Sequence, residues 1–393
     1  MGITNSDGPR WTEQRRFALK QLRDLGFGRK SLDSVMVHEV DQVIDRFLET
    51  KDGIVQMKGR DFIQNLNSNR YLVMNYLYLH FTGTFNTAVV NTLWQIVASK
   101  KFDPDDPETK RIMMLLNSQA EGRYSKSMFF PTLFKLLPMR EVDRKLQQLK
   151  SAMQKLIKEH RQDIDYDNPR DFIDVYLTQM KVENIDSFND EQLVLVCLDL
   201  FEAGSETTST TLLWSVLYMA INPEIQEKCQ AEIDEKIGSR SPTIEDVPNL
   251  PYVMATLMET QRASIMAPAS LPHYLTKDSV VKGYNFQKGT LFIANLSRIL
   301  MDPEVFPLPK CFKPERFIDD NGSLKKIEQF VPFSIGRRIC MGESLAKNSL
   351  FLFFVRMLQR ISFRQTLKIP NADDSYVGVT RSPKPFEVKV ILR

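Results

Sequence analysis

The sequence is poor in the residues that build disulfide frameworks and metal clusters. Its four cysteines, Cys197, Cys229, Cys311 and Cys340, lie far apart and form no CxxC pair. That excludes a disulfide scaffold or a zinc ribbon and fits a reducing compartment. The four histidines, His38, His80, His160 and His273, are equally dispersed, so no HExxH-type site exists. No apolar run approaches the roughly 18 residues that span a bilayer, and the opening MGITNSDGPRW has no signal-peptide hydrophobic region. Charge of one sign is scarce too: 52 Lys+Arg against 49 Asp+Glu leave +3. A general nucleic-acid binder needs a stronger basic excess.

What the chain has is apolar substance. Of its 393 residues 42% are hydrophobic, 25 of them Phe, which excludes a disordered chain and supports a large core. The length alone suggests two or three domains, but no repeat or low-complexity linker divides it. One large α-rich domain is the preferred reading. Helical spacing runs from Trp11 to Leu25, over 31–48, 86–99 and 140–160, from the Asn189-Asp190-Glu191 cap cluster to Ile221, and over 223–237 and 252–263. Residues 273–296 read as short strands and turns, the stretch after Cys340 as a helix, and the tail as short strands.

The chemistry concentrates in Phe333-Ser-Ile-Gly336-Arg-Arg338-Ile-Cys340-Met-Gly342, just before that last helix. A cysteine at a helix start gains thiolate character from the dipole and free N–H groups. Gly336 permits a tight turn, and Gly342 lets a flat ligand approach the backbone. Phe333 can shield the sulfur, and Arg338 can pair with an anionic group on the ligand. A shielded thiolate beneath a planar, carboxylate-bearing cofactor describes haem-thiolate ligation; the plainer alternative is a buried structural cysteine.

This FxxGxRxCxG run resembles the haem-binding signature of the cytochrome P450 monooxygenases, and other motifs follow in that family's order. Glu259-Thr-Gln-Arg262 resembles its ExxR helix and Pro314-Glu-Arg316-Phe317 its PERF segment. Glu259 and Arg262 share a helix face, and Arg316 can complete a charge network that braces the cysteine loop. Ala203-Gly204-Ser205-Glu206-Thr207-Thr208 looks like the oxygen-activation motif: a small Ala203 leaves room over the haem, and Glu206 with Thr207 can relay protons. Gly204 and a threonine hydroxyl are expected to kink the long helix there. Trp11-Thr-Glu-Gln-Arg15 resembles the WxxxR helix, whose Trp and Arg bind haem propionate. His273 matches a propionate-binding position of the microsomal family-2-like branch, with a satisfied core histidine as the equal alternative. Pro169-Arg-Asp-Phe-Ile-Asp174 also resembles that branch.

The resemblance implies a mainly α fold with small β-sheets (α+β) and haem b held by Cys340 as the axial ligand of the iron. It implies insertion of one atom of O2 into a small lipophilic substrate, by hydroxylation or epoxidation. Electrons would come from NADPH through NADPH–cytochrome P450 reductase, with cytochrome b5 as a second donor, at the cytosolic face of the endoplasmic reticulum membrane. The chain looks most like insect family-2-type members, including methyl farnesoate epoxidases, which suggests a sesquiterpenoid hormone precursor, a steroid or a xenobiotic as substrate. Leu200, Ala203, Thr207, Ala267, Val377 and Val379 are the expected pocket lining. Arg10, Arg15, Arg16, Lys20 and Arg23, with Arg337, Lys347 and Arg356, are expected to form a positive face for an acidic donor.

Two departures from the family pattern shape the expectations. Met1 falls inside the loop before the WxxxR helix, so a single, N-terminally incomplete haem domain over 1–393 is expected, without the anchor, the first helices and the first strands. An open sheet edge and a pocket short of one wall should follow. Residues 59–83 interrupt the pattern; read-through of non-coding sequence is the preferred account and a surface loop the alternative. Whether the Phe129 to Leu137 stretch dips into a membrane or packs in the core stays open. The competing functional reading is a non-catalytic or misfolded truncated haem-protein isoform.

Overall fold

The computed structural model describes residues 2–26, 32–50, 53–57, 85–122, 141–182 and 186–393. The insert expected at 59–83 and the Phe129 to Leu137 stretch lie outside the described residues. Among those residues the helices are α1 (Gly8–Asp24), α2 (Asp33–Leu48), α3 (Asn86–Ala98), α4 (Pro107–Gly122), α5 (Glu141–Asp163), α6 (Phe172–Val182), α7 (Asp190–Ile221), α8 (Pro223–Lys236), α9 (Pro251–Ser264), α10 (Leu296–Leu300) and α11 (Glu343–Arg360). The strands are β1 (Ile54–Met57), β2 (His273–Tyr274), β3 (Ser279–Val281), β4 (Tyr284–Phe286), β5 (Leu291–Phe292), β6 (Ile361–Gln365), β7 (Ser375–Val377), β8 (Arg381–Pro383) and β9 (Phe386–Leu392).

Helix α7 is the axis of the fold. It starts where the Asn189 side chain accepts a hydrogen bond from the Gln192 N–H at 2.9 Å, a cap that satisfies one of the orphan donors of the first turn. From Leu212 to Ala220 every residue is buried, so this part is apolar on all sides and surrounded, as a core helix must be. It ends at Asn222-Pro223, where proline opens α8 instead. Glu232 of α8 then caps α9, accepting from the Tyr252 and Val253 N–H groups at 3.0 and 2.8 Å. Helices α3, α5, α9 and α11 pack against α7, and α2 packs on α3 and α11.

Through the hydroxyl run α7 is helical without interruption, from 190 to 221. Thr207, Ser209 and Thr211 each donate to the carbonyl four residues back at 2.8 Å, sharing acceptors with the backbone rather than displacing it. Gly204 serves packing instead. A Cβ there would come within 2.6 Å of Leu93 Cδ2, so the glycine lets α3 approach α7.

The largest sheet is antiparallel with strand order β1-β9-β6. Along β9, Phe386, Val388 and Val390 are buried while Lys389 and Ile391 are exposed, the two-residue alternation of a sheet with one covered face. Gln226 of α8 exchanges two hydrogen bonds with the Phe363 backbone, at 2.9 and 2.7 Å, and so fastens β6 to the helices. The pairs β2–β5, β3–β4 and β7–β8 are separate two-stranded ribbons. No helix of the described residues is long and apolar enough to cross a membrane.

Candidate active site

The Glu259–Arg262 pair is the most deeply buried charge cluster. Both side chains are fully buried, and the guanidinium forks onto the carboxylate at 2.7 and 2.8 Å. Arg262 also donates to the Leu300 and Pro309 carbonyls at 3.1 and 2.8 Å. Glu259 accepts from the Lys313 N–H at 2.8 Å and from Arg316 at 3.4 Å. Arg316 in turn donates to the carbonyls of Pro307, Leu308 and Cys311. The network therefore grips 300–316 directly. Toward the cysteine loop it is continued by packing, where Phe317 meets Phe330 edge-on at 4.9 Å.

The cysteine loop turns on two left-handed residues, Ser334 (φ 65) and Gly336 (φ 80); glycine reaches that region without steric cost. The Cys340 N–H donates to the Phe333 carbonyl at 3.0 Å, closing the turn. Cys340 is exposed as a residue, yet its sulfur is set among protein atoms. Burial of the sulfur by the surrounding atoms pushes the thiol up, with the Glu343 charge adding to it. The Gly342 N–H and the Arg15 charge pull it down less.

Beside the cysteine the structure gathers Trp11, Arg15, Arg337 and Arg338. Arg15 donates to the Ile339 carbonyl at 2.5 Å and Arg338 to the Ser6 carbonyl at 2.8 Å. The Arg15, Arg337 and Arg338 guanidiniums stand 5.7, 5.8 and 3.9 Å from the Trp11 ring, within cation–π range. Burial and the charge of Arg15 lower the Arg338 pKa, Asp7 opposing and Arg337 adding. Burial likewise lowers that of Arg15. This corner carries more positive charge than its own carboxylates balance.

Facing it, α7 presents Ala203 exposed and Thr207 half-buried. A cleft is lined by Thr207, Thr211, Ala267, Phe333, Ala346 and Leu350 among others. Leu200, Ala203, Val377, Val379 and Cys340 are not part of that lining; Val377 is 71% exposed on the β7–β8 hairpin. Glu206 is buried and accepts from the hydroxyls of Thr210 at 3.1 Å and Thr380 at 3.4 Å. His273 pairs with Phe292 in the β2–β5 ribbon, and among the described residues its ring makes no hydrogen bond.

Thr380 was not singled out by sequence reasoning; it lies 174 positions from its partner Glu206, and no local pattern relates the two. Arg337, expected on the positive face, also stands beside Trp11. Arg356 leaves the expected positive face: it is half-buried and doubly paired with Asp41 at 2.8 and 3.0 Å. Fold also unites residues that read as scattered. His160 bonds the Leu156 carbonyl at 2.9 Å and Asp171 at 3.0 Å, with Asp174 alongside; both ring nitrogens are engaged, so the cluster staples α5 to α6.

Four features fit this corner to a haem. The Trp11 Nε1 is buried with no acceptor among the described residues, a cost unless a ligand supplies one. The arginine cluster wants anionic partners such as propionates. The thiol, held up by burial, becomes a thiolate on a cation. The cleft lies between α7, which contributes Thr207 and Thr211, and the cysteine loop, which contributes Phe333.

A mainly helical fold with such a corner defines a haem-dependent oxidoreductase. The cytochrome P450 family model matches residues 1–390, and the chain belongs to the cytochrome P450 family. It is 35% identical to cytochrome P450 2U1 of Homo sapiens over 399 aligned positions, covering 98% of this chain and 69% of that protein. It is 36% identical to cytochrome P450 2J3 of Rattus norvegicus over 403, with 100% and 75% covered. Against cytochrome P450 2B4 of Oryctolagus cuniculus it is 34% identical over 404, with 100% and 77% covered. The chain is a cytochrome P450 monooxygenase, a haem-iron oxidoreductase.

Proposed function

We propose that this chain inserts one atom of O2 into a small lipophilic substrate, taking electrons from NADPH through NADPH–cytochrome P450 reductase. The carrying observation is Cys340 set beside the Trp11–Arg15–Arg337–Arg338 corner, in the loop whose Phe333 shares a cleft with Thr207. Haem bound there supplies dioxygen activation, to which a thiolate ligand contributes electron density that favours O–O cleavage. Trp11, Arg15 and Arg338 hold the propionate side, His273 assists from β2, and Phe333 keeps water from the sulfur. Ala203 leaves space on the α7 face. Glu206 and Thr207 deliver protons to the cleft.

Ala267 and Leu350 offer an apolar surface to a lipophilic molecule, of which a sesquiterpenoid, a steroid or a xenobiotic are the candidate classes. The exposed Arg16, Lys20, Arg23, Arg337 and Lys347 present positive charge to an acidic donor, the reductase or cytochrome b5. The setting is the cytosolic face of the endoplasmic reticulum membrane.

The test reconstitutes the haem-loaded chain with reductase, NADPH and a panel of those three classes under 18O2. Expected is substrate-dependent NADPH consumption with one 18O atom in the product. A haem-loaded chain that consumes NADPH and oxygenates none of them would contradict the reading.

A further inference from the structure

The β7–β8 hairpin is fastened to the centre of the molecule by an unusual number of polar bonds for so short a ribbon. Arg381 carries most of them. Its N–H donates to the Met266 carbonyl at 2.7 Å, and its carbonyl accepts from the Trp214 indole at 3.1 Å. Its guanidinium donates to the Ala263 and Ser264 carbonyls at 3.3 and 2.7 Å, to the Ala372 carbonyl at 3.0 Å, and to the Ser375 hydroxyl at 2.8 Å. It also lies 4.9 Å from the Trp214 ring. The residue before Arg381 is thereby fixed in space relative to both α7 and the end of α9.

That residue is Thr380, buried, at the tight turn where the Gly378 N–H donates to the Thr380 carbonyl at 3.1 Å. Its hydroxyl reaches Glu206 Oε1 at 3.4 Å, the oxygen that also accepts from Thr210. Thr210 is on the same helix as Glu206 and moves with it. Thr380 comes from a separate element, so it alone of these two hydroxyls fixes the carboxylate against the rest of the protein. A buried carboxylate has several rotamers open to it, and two hydroxyls on one oxygen select among them.

The geometry points to Thr380 as a positioning residue for Glu206, with Arg381 anchoring the turn that carries it. This rests on the reading of Glu206 as proton donor to the cleft.

The consequence is read in coupling. Productive turnover is RH + O2 + NADPH + H⁺ → ROH + H2O + NADP⁺, and the leak is O2 + NADPH + H⁺ → H2O2 + NADP⁺. The test compares haem-loaded wild type with Thr380→Val, Thr380→Ser and Glu206→Gln. Thr380→Val should raise H2O2 per NADPH about two- to tenfold, the range for one hydrogen bond, and Thr380→Ser should restore it. A second readout needs no turnover: the Glu206 carboxyl stretch, assigned by its loss in Glu206→Gln, should shift in Thr380→Val and return in Thr380→Ser. If Thr380→Val does not fold, Thr380→Ala takes its place with the same expectation.

An unshifted band, or peroxide release equal in the Val and Ser variants, overturns the proposal. If Glu206→Gln itself leaves coupling unchanged, the proton-delivery reading fails and the proposal falls with it. If Glu206→Gln uncouples while Thr380→Val does not, only the positioning role is lost.

Discussion

Replacing Glu259 by glutamine removes one negative charge from the centre of the protein without changing its volume. The carboxylate takes two bonds from Arg262, one from the Lys313 N–H and one from Arg316. What remains for Arg262 is an amide oxygen, the Leu300 and Pro309 carbonyls and the Met301 sulfur, against a fully buried positive charge. Breaking such a pair costs about 3–5 kcal/mol, against a total stability of about 5–15 kcal/mol. At about 1.36 kcal/mol per decade, the folded-to-unfolded ratio falls by about two to four decades. The internal control is Glu343, whose pair with Lys347 at 2.6 Å has side chains 31% and 49% exposed; Glu343→Gln should cost about 0–1 kcal/mol. Urea unfolding followed by far-UV circular dichroism reads both. Removing the partner charge as well, in Glu259→Gln with Arg262→Met, should recover a large part of the loss. A Glu259→Gln cost below about 1 kcal/mol, no larger than that of Glu343→Gln, would refute the argument that this network holds 300–316 in place.

Other consequences are as specific. Burial lowers the proton affinity of His160, but the bonds to Asp171 and Leu156 and the charge of Asp174 outweigh it, leaving its pKa above 6.5. Its stabilising contribution is then complete below pH 6.5 and lost as pH rises through the raised value, so the stability gap between wild type and His160→Gln should narrow on titration to pH 9; a gap constant with pH would contradict this. Gly204→Val forces a side chain into Leu93 at 2.6 Å, and thermal melting should register about 1–3 kcal/mol of overpacking. Trp11→Phe deletes the buried indole N–H that has no acceptor among the described residues. It should leave the unfolding midpoint nearly unchanged yet speed haem transfer to a scavenging apoglobin; an unchanged transfer rate would remove Trp11 from the cofactor corner.

The helices were legible because each carries its own punctuation. Asn189 caps α7, Pro223 and Pro251 open α8 and α9, and the apolar spacing between them needs no tertiary information. Helix α4 was missed although Asp106, whose carboxylate accepts from the Thr109 N–H at 2.7 Å, and Pro107 mark its start; that signal was readable. Strand β1 was not, since its partner β9 lies more than 300 residues on and four residues of Ile-Val-Gln-Met carry no period of their own. The cysteine motif announced a ligand loop, but not the balance of forces on its sulfur. Helix-dipole reasoning favoured a thiolate, whereas the packed atoms around Cys340 favour the neutral thiol until a cation arrives. Contacts such as Arg338 to Ser6 or Thr380 to Glu206 join residues that no local pattern relates.

The reading of Cys340 as the ligand of haem iron is tested most directly by the absorption spectrum of the reduced, carbon monoxide-bound protein. The account predicts a Soret band at the long-wavelength position diagnostic of thiolate ligation, abolished in Cys340→Ala and retained in Cys311→Ala, the other exposed cysteine. A wild-type band at the position of nitrogen-ligated haem, or a thiolate band that survives in Cys340→Ala, would contradict it.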